Sequence, residues 1–388
     1  VYDLHADKMI FNYNAEKAFI PASNTKLLTY YAVLQMLVDS IPAMEYCIVN
    51  DSIYFTGTGD PTWFYDTFDH SQSVDILADS SLILNYVPRS MADHRFGPGW
   101  SWDDYTNYYS VEKSSFPIYG NRVSMHKAAG ASKVEILPKS MQILVNINNS
   151  EKMEGFEADR LEFSNDFFLT IESDSVQVKT AVPFIYNDEL FVNLLADTLH
   201  RSIHVAGQFP DCDRRKSYDT PRDSVLAKIL LDSDNFLSEQ MLLVISSTIG
   251  DSLNSRSVIE SMTKNRFSDI ADDITWVDGS GLSRYNLMTP ISIISVLKKI
   301  YLTQPRKKIF VMLPEAGCTG SLKESFAGLT GKMYAKTGSM TGVYNLSGYL
   351  VTDSGKTLAF SFMNNNFKIP VSLIRQEIEK VLAAFMDY

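Results

Sequence analysis

Pro21-Ala-Ser-Asn-Thr-Lys26 runs directly into Leu27-Leu-Thr-Tyr-Tyr-Ala-Val-Leu-Gln-Met-Leu-Val38, and no other stretch constrains the chain as much. Pro21 suits the first turn of a helix, because its φ is fixed and the N–H it lacks would have no partner there. Apolar residues then recur at Leu27, Tyr30/Tyr31, Leu34 and Leu37/Val38, the spacing of a helix face that is buried. Ser23 and Lys26 are three apart, so a helix puts them on one face. A serine hydroxyl is a poor nucleophile until a base takes its proton, and a neutral lysine amine can be that base. Burial or a neighbouring cation eases the loss of the lysine's own proton. The helix start adds unpaired N–H groups and the positive end of the dipole. Ser-x-x-Lys alone is a common tetrapeptide, so its meaning depends on motifs later in the chain.

At 388 residues the chain can bury a large core and divide into two or three domains. Its net charge of −11, with no basic stripe, excludes a nucleic-acid backbone as partner. Cys47, Cys212 and Cys318 lie far apart without a Cys-x-x-Cys pair, which indicates neither a zinc site nor a disulfide framework. No apolar run reaches the length of a membrane span. Residue 1 already lies in a strand-like segment, so the chain reads as one trimmed of its leader.

The pattern predicts a hairpin from Val1–His5 and Met9–Tyr13, then strands at Glu45–Asn50 and Ser52–Phe55. Thr56-Gly-Thr-Gly-Asp-Pro61 lacks the Gly-Lys-Ser/Thr ending of a phosphate loop. Residues 71–87 read as helical. Phe96-Gly-Pro-Gly-Trp-Ser-Trp-Asp-Asp104 is either a rigid loop with inward indoles or a recognition loop, with Asp103 or Asp104 for a cationic group. Residues 126–182 are strand-like and carry no candidate catalytic cluster. Leu190–His204 reads as a helix and His204–Gln208 as a strand. His200 and His204 have the spacing of two metal ligands, but no third ligand is near, and no metal is expected. Helices follow at Asp223–Asp232, Leu237–Ile249 and Ile291–Leu302, then strands at Lys332–Lys336, Val343–Val351 and Thr357–Asn364 and a closing helix Val371–Met386.

Ser233-Asp-Asn235 falls between two of these helices, and Lys336-Thr-Gly338, followed by Ser339, between the first two C-terminal strands. Ser-x-x-Lys, Ser-Asp-Asn and Lys-Thr-Gly in this order resemble the penicillin-recognising serine acyltransferases. The gap from Ser23 to Ser233, roughly 210 residues, is far longer than in class A β-lactamases. With Gly-Thr-Gly-Asp-Pro, Gly-Pro-Gly-Trp-Ser-Trp-Asp-Asp, Asp-Gly-Ser-Gly-Leu-Ser, Leu-Pro-Glu-Ala-Gly and Lys-Thr-Gly-Ser-Met-Thr-Gly, the chain resembles the low-molecular-mass class C penicillin-binding proteins, the D-alanyl-D-alanine carboxypeptidase/endopeptidase family.

That resemblance implies an α+β, β-lactamase/transpeptidase-like fold. A five-stranded antiparallel sheet would be flanked by helices, with a large insertion forming one or two smaller β-rich domains. The implied division is a catalytic domain from 1–45 and 213–388, an inserted domain from 46–125 and 183–212, and a subdomain from 126–182. Ser23 would attack the carbonyl between two D-alanines and Lys26 would take its proton. Ser233, hydrogen-bonded to Lys26 and Lys336, would pass it to the leaving amine. Asn235 would hold the substrate amide and Lys26. Lys336, Thr337 and Ser339, with Gly338 between them, would bind the terminal carboxylate, and the backbone N–H groups of Ser23 and Ser339 would form the oxyanion hole. Trp100, Asp103, Arg284, Met340 and Thr341 would surround the third peptide residue, meso-diaminopimelate if Asp103 and Arg284 pair with its two charges. The implied partners are a peptidoglycan stem peptide and β-lactams as covalent inhibitors, with no cofactor and a periplasmic or extracytoplasmic location. The rivals are a β-lactamase, which needs a deacylating group such as a placed glutamate, and a peptidoglycan-binding protein that has lost turnover. A Ser-His-Asp hydrolase is disfavoured, because no histidine has a motif-like setting.

Overall fold

Both ends of the chain meet in one sheet in the computed structural model, which describes residues 1–65, 68, 71–270 and 274–388. The strand order is Met333–Met340, Val343–Val351, Thr357–Asn365, Tyr2–Asp3, Lys8–Met9, antiparallel throughout. Side chains alternate between two cores, as period two requires. Tyr349 and Ala359 join Leu28, Val33, Leu237 and Leu297 on one face, whereas Leu350, Leu358 and Phe360 pack with Ile374, Ile378 and Leu382 of the closing helix on the other. With both faces covered, Val343–Tyr344 through Leu350 is buried without a break.

The serine helix Lys26–Met36 packs against the helix Asn235–Ser247, which is buried almost all round. A helix buried on every side belongs at the centre of a layer. Its first turn is fixed by Asp234, whose carboxylate accepts the Leu237 amide at 2.9 Å.

A second five-stranded sheet, in the order Ile203–Val205, Ile83–Tyr86, Ser52–Gly57, Ser40–Val49, Arg215–Pro221, lies in the intervening part of the chain. Two three-stranded sheets occupy residues 122–183. These three sheets share a core around Phe55, Trp63, Phe116, Phe184 and Phe191.

Several expectations are corrected. The first hairpin has only two paired residues on each strand. Residues 71–87 are not one helix: Ser71–Ala78 is helical, Asp79 accepts the Ser81 amide in a turn, and Ile83–Tyr86 is a strand parallel to Ser52–Gly57. The helix expected to reach His204 runs Asp188–Leu199, His200 is left-handed with φ 52°, and His204 lies on a strand. The two histidines therefore share no helix face. Lys336-Thr-Gly-Ser339 lies inside the strand Met333–Met340, because pairing continues to Met340↔Val343 and the turn is Thr341-Gly342. The helices Ser255–Arg266 and Arg306–Met312 had no counterpart in the pattern.

Cys47 and Cys212 form a disulfide, contrary to the reading of the cysteine spacing. Their separation of 165 residues hides the contact. Arg215 pairs with Tyr46, so the segment leading into that strand, which holds Cys212, runs beside Cys47. Cys318 is free and exposed.

Candidate active site

Ser23 lies in a tight 3₁₀ turn, Ala22–Thr25, and Lys26 opens the α-helix proper. Ala22 has φ 46°, an uncommon conformation for a residue with a Cβ. Two glycines hold the turn from outside. A Cβ on Gly338 would come within 2.5 Å of the Pro21 carbonyl and 3.2 Å of the Ser23 amide nitrogen. A Cβ on Gly281 would lie 1.9 Å from the Ala22 carbonyl. The Lys-Thr-Gly strand and the Asp278-Gly-Ser-Gly281 loop thus clamp the serine by backbone approach that only glycine permits.

Lys26 is fully buried, and its Nζ has three neighbours: Ser23 Oγ at 3.0 Å, Asn235 Oδ1 at 2.6 Å and the Ser280 carbonyl at 2.7 Å. Asn235 Nδ2 donates to the Tyr109 carbonyl at 3.0 Å, which fixes the amide with its oxygen toward the lysine. Two of the three neighbours can only accept. In the neutral amine both N–H bonds are spent on them, and the lone pair is left facing the Ser23 hydroxyl. Burial lowers the Lys26 pKa to about 8, against the opposing pull of Asp278, Asp234 and Glu239.

Lys336, also buried, donates to Ser233 Oγ at 2.8 Å and to the Thr337 carbonyl at 2.9 Å. Burial, then the charge of Lys26, holds it well below the ordinary lysine range. Ser233 has φ 59°, which turns it out of the preceding helix. The expected hydrogen bond between Ser233 and Lys26 is not formed, because the Ser280 carbonyl takes the third position on Nζ.

Ser23, Trp100, Asp103, Ser233, Asn235, Arg284, Ser339, Met340 and Thr341 line one cavity of about 640 Å³. Lys26, Lys336 and Gly338 lie behind its wall, and Thr337 is nearly buried, its hydroxyl 2.8 Å from that of Ser321. The Trp loop divides its two indoles. Trp100 turns in and donates to Asp278 at 2.9 Å, while Trp102 is exposed. Asp104 is spent on the Tyr109 hydroxyl at 2.9 Å. Asp103 and Arg284 are exposed, with no hydrogen bond or ion pair among the described residues. No histidine lines the cavity among the described residues.

Ser280, Asp278, Tyr109 and Ser321 were not singled out by the sequence. Asp278 accepts from Gly281, Ser283, Asn286 and Trp100 and so holds its loop together. The motif Asp-Gly-Ser-Gly-Leu-Ser was the available signal for Asp278 and Ser280, although Ser280, like Tyr109, contributes a backbone carbonyl that no residue type reveals.

A serine on a tight turn, addressed by a buried lysine beside the edge strand of a five-stranded antiparallel sheet, is the arrangement of the penicillin-recognising serine enzymes. The chain belongs to the D-Ala-D-Ala carboxypeptidase 3 (S13) family, whose model matches residues 1–386. It is a serine-type D-Ala-D-Ala carboxypeptidase, a hydrolase. It is 25% identical to the "penicillin-sensitive carboxypeptidase A" of Dictyostelium discoideum, over 92% of this chain and 80% of that protein. Its fold matches the crystal structure of penicillin binding protein 4 from Haemophilus influenzae with a TM-score of 0.78 at 20% identity, covering 100% of this chain and 95% of the other. A predatory peptidoglycan endopeptidase from Bdellovibrio bacteriovorus matches with a TM-score of 0.53 at 14% identity, over 97% and 88% of the two chains.

Proposed function

We propose that Ser23 carries the acyl-enzyme and that Lys26 is its base. Ser23 Oγ attacks the carbonyl between the terminal D-alanines while its proton passes to the lone pair of Lys26 Nζ. The C–N bond then breaks as the proton on Lys26 Nζ passes by way of the Ser233 hydroxyl to the leaving nitrogen, and D-alanine departs with Lys26 neutral again. Water repeats the steps in reverse on the ester. The observation that carries this reading is the environment of Lys26, where two acceptor-only groups leave a single direction for the lone pair.

The backbone N–H groups of Ser23 and Ser339 serve as the oxyanion hole, a contribution of about 3–4 kcal/mol per donor in comparable enzymes. Lys336, Thr337 and Ser339 receive the terminal carboxylate, and the arriving anion favours the charged form of Lys336. Asn235 holds the substrate amide. Asp103 and Arg284, facing one cavity without partners of their own among the described residues, suit the ammonium and carboxylate of meso-diaminopimelate, with Trp100, Met340 and Thr341 around them. The reading needs neither cofactor nor metal.

The substrate is a peptidoglycan stem peptide, and penicillins acylate Ser23 in its place. The names of the relatives support both points. The enzyme works outside the cytoplasmic membrane. The Cys47–Cys212 disulfide suits an oxidising compartment, and no helix among the described residues is long and apolar enough to cross a membrane. We also divide the chain into a catalytic body (1–45 and 213–388) bearing inserted parts (46–125 with 183–212, and 126–182). The sheet that joins both chain ends supports the body, whereas Ser40–Val49 and Arg215–Pro221 pair within the second sheet and go with the inserted part.

Release of D-alanine from diaminopimelate and lysine stem peptides tests the reading. The parent is expected to favour the diaminopimelate peptide, and Asp103→Asn to raise KM for it about tenfold with kcat little changed. Equal KM values for both peptides in the parent would remove the diaminopimelate assignment.

A further inference from the structure

One buried carboxyl beside the site takes no part in these steps. Glu239 follows Asn235 by one turn on the same side of the helix Asn235–Ser247 and is 1% exposed. Its Oε1 accepts the Ser280 amide at 2.7 Å, and the carbonyl of the same residue accepts from Lys26 Nζ. Its Oε2 is buried with no hydrogen-bond partner among the described residues. A glutamine would hold the Ser280 amide as well, without the cost of an ionisable group in a dry interior.

We propose that Glu239 is a positioning residue for the Lys26 base: it fixes the Ser280 peptide so that its carbonyl faces Nζ, and its charge sets the pH at which the amine can accept a proton.

The charges around the pair decide the sign. Burial, then Asp278 from the adjoining loop, raises the Glu239 pKa to about 7, whereas Lys113, the Ser280 side chain and the Gly279 amide lower it. Lys26 itself sees Asp278, Asp234 and Glu239, which favour its charged form, and its charge in turn is felt by Lys336. The Glu239 carboxylate therefore opposes the burial that drives the Lys26 pKa down. A base with too low a pKa accepts protons poorly, so holding the value near the working pH serves catalysis.

The inference rests on Lys26 being the base, and the experiment separates the two. The rate of benzylpenicillin acylation is followed by intact mass from pH 6 to 10 for the parent, Glu239→Gln, Glu239→Asp and Glu239→Ala. The final labelled fraction counts folded sites, and the rate constant is independent of it. Glu239→Gln keeps the acceptor and loses the charge, so its acid limb moves to lower pH by about half a unit to one unit. Glu239→Asp keeps the charge and the parental limb. Glu239→Ala shifts the limb as Glu239→Gln does but also frees the Ser280 peptide, so its rate runs about tenfold below that of Glu239→Gln at every pH. A Glu239→Gln limb that overlays the parent's overturns the proposal. So does failure of all three variants to label, which would make Glu239 a folding residue. A parent that acquires no adduct on Ser23 would instead sink the assignment of the serine.

Discussion

The serine turn and the sheets of residues 122–183 are built on different principles. Around Ser23, Gly338 and Gly281 admit no side chain, two lysines are fully buried, and Ala22 and Ser233 hold left-handed backbone. In 122–183, a Cβ placed on Gly130 or Gly155 would meet nothing within 4 Å, and Ile143 and Phe163 are 89% and 82% exposed. Those strands cover a core on one side and leave the other to solvent. Strain and buried charge persist only where surrounding contacts over-determine them. The contrast marks where the fold is fixed to a tolerance of tenths of an ångström and where it is not.

The largest effect expected is that of Ser23→Ala, which lowers D-alanine release by at least about 10⁴-fold. A stopped D-alanine assay reads it, and retention of parental turnover would erase the contrast at its centre. Gly338→Ala comes next. Its Cβ meets backbone that cannot turn aside, so about 1–3 kcal/mol of stability is lost. A displacement of the turn by an ångström also costs about 100-fold in rate. Urea unfolding and penicillin labelling measure the two separately.

The pH profile sharpens the same comparison. Lys26 is effective only as the neutral amine, and its pKa is about 8. Acylation should therefore fall about tenfold per unit as pH drops below that value and level off above it. A rate flat down to pH 6 would contradict the role of Lys26. Reduction of Cys47–Cys212 acts outside the serine turn. It should lower stability by about 2–4 kcal/mol and leave the acylation rate of the folded fraction unchanged, as thermal melts and labelling with and without dithiothreitol will show. Smallest of all is Gly207→Ala, where a Cβ meets nothing within 4 Å. Its change in stability should stay within about 0.5 kcal/mol.

The same contrast governs how much was legible in the sequence. Ser23 and Lys26 were readable because one helical turn joins them, and Ser233, Asn235 and Lys336 because their motifs recur in order. Strand alternation gave Val343–Val351 and Thr357–Asn365 nearly to the residue. The contacts that tune the site were not readable. The Ser280 and Tyr109 carbonyls act through backbone atoms, so no residue type announces them. Glu239 looks like any polar residue on an amphipathic helix until the helix proves buried all round. Cys47 and Cys212 meet only through strand pairing across 165 residues. Thr337 is readable as a carboxylate ligand from its motif, but its link to Ser321 depends on a loop docking against the strand.

Incubation with benzylpenicillin, intact-mass measurement and peptide mapping reach the central claim most directly. The β-lactam ring opens onto the nucleophile without a leaving group, so the whole mass of the drug should appear once per chain, on the peptide that contains Ser23. An adduct on Ser233 or Cys318, or no adduct on a folded chain, would contradict the account.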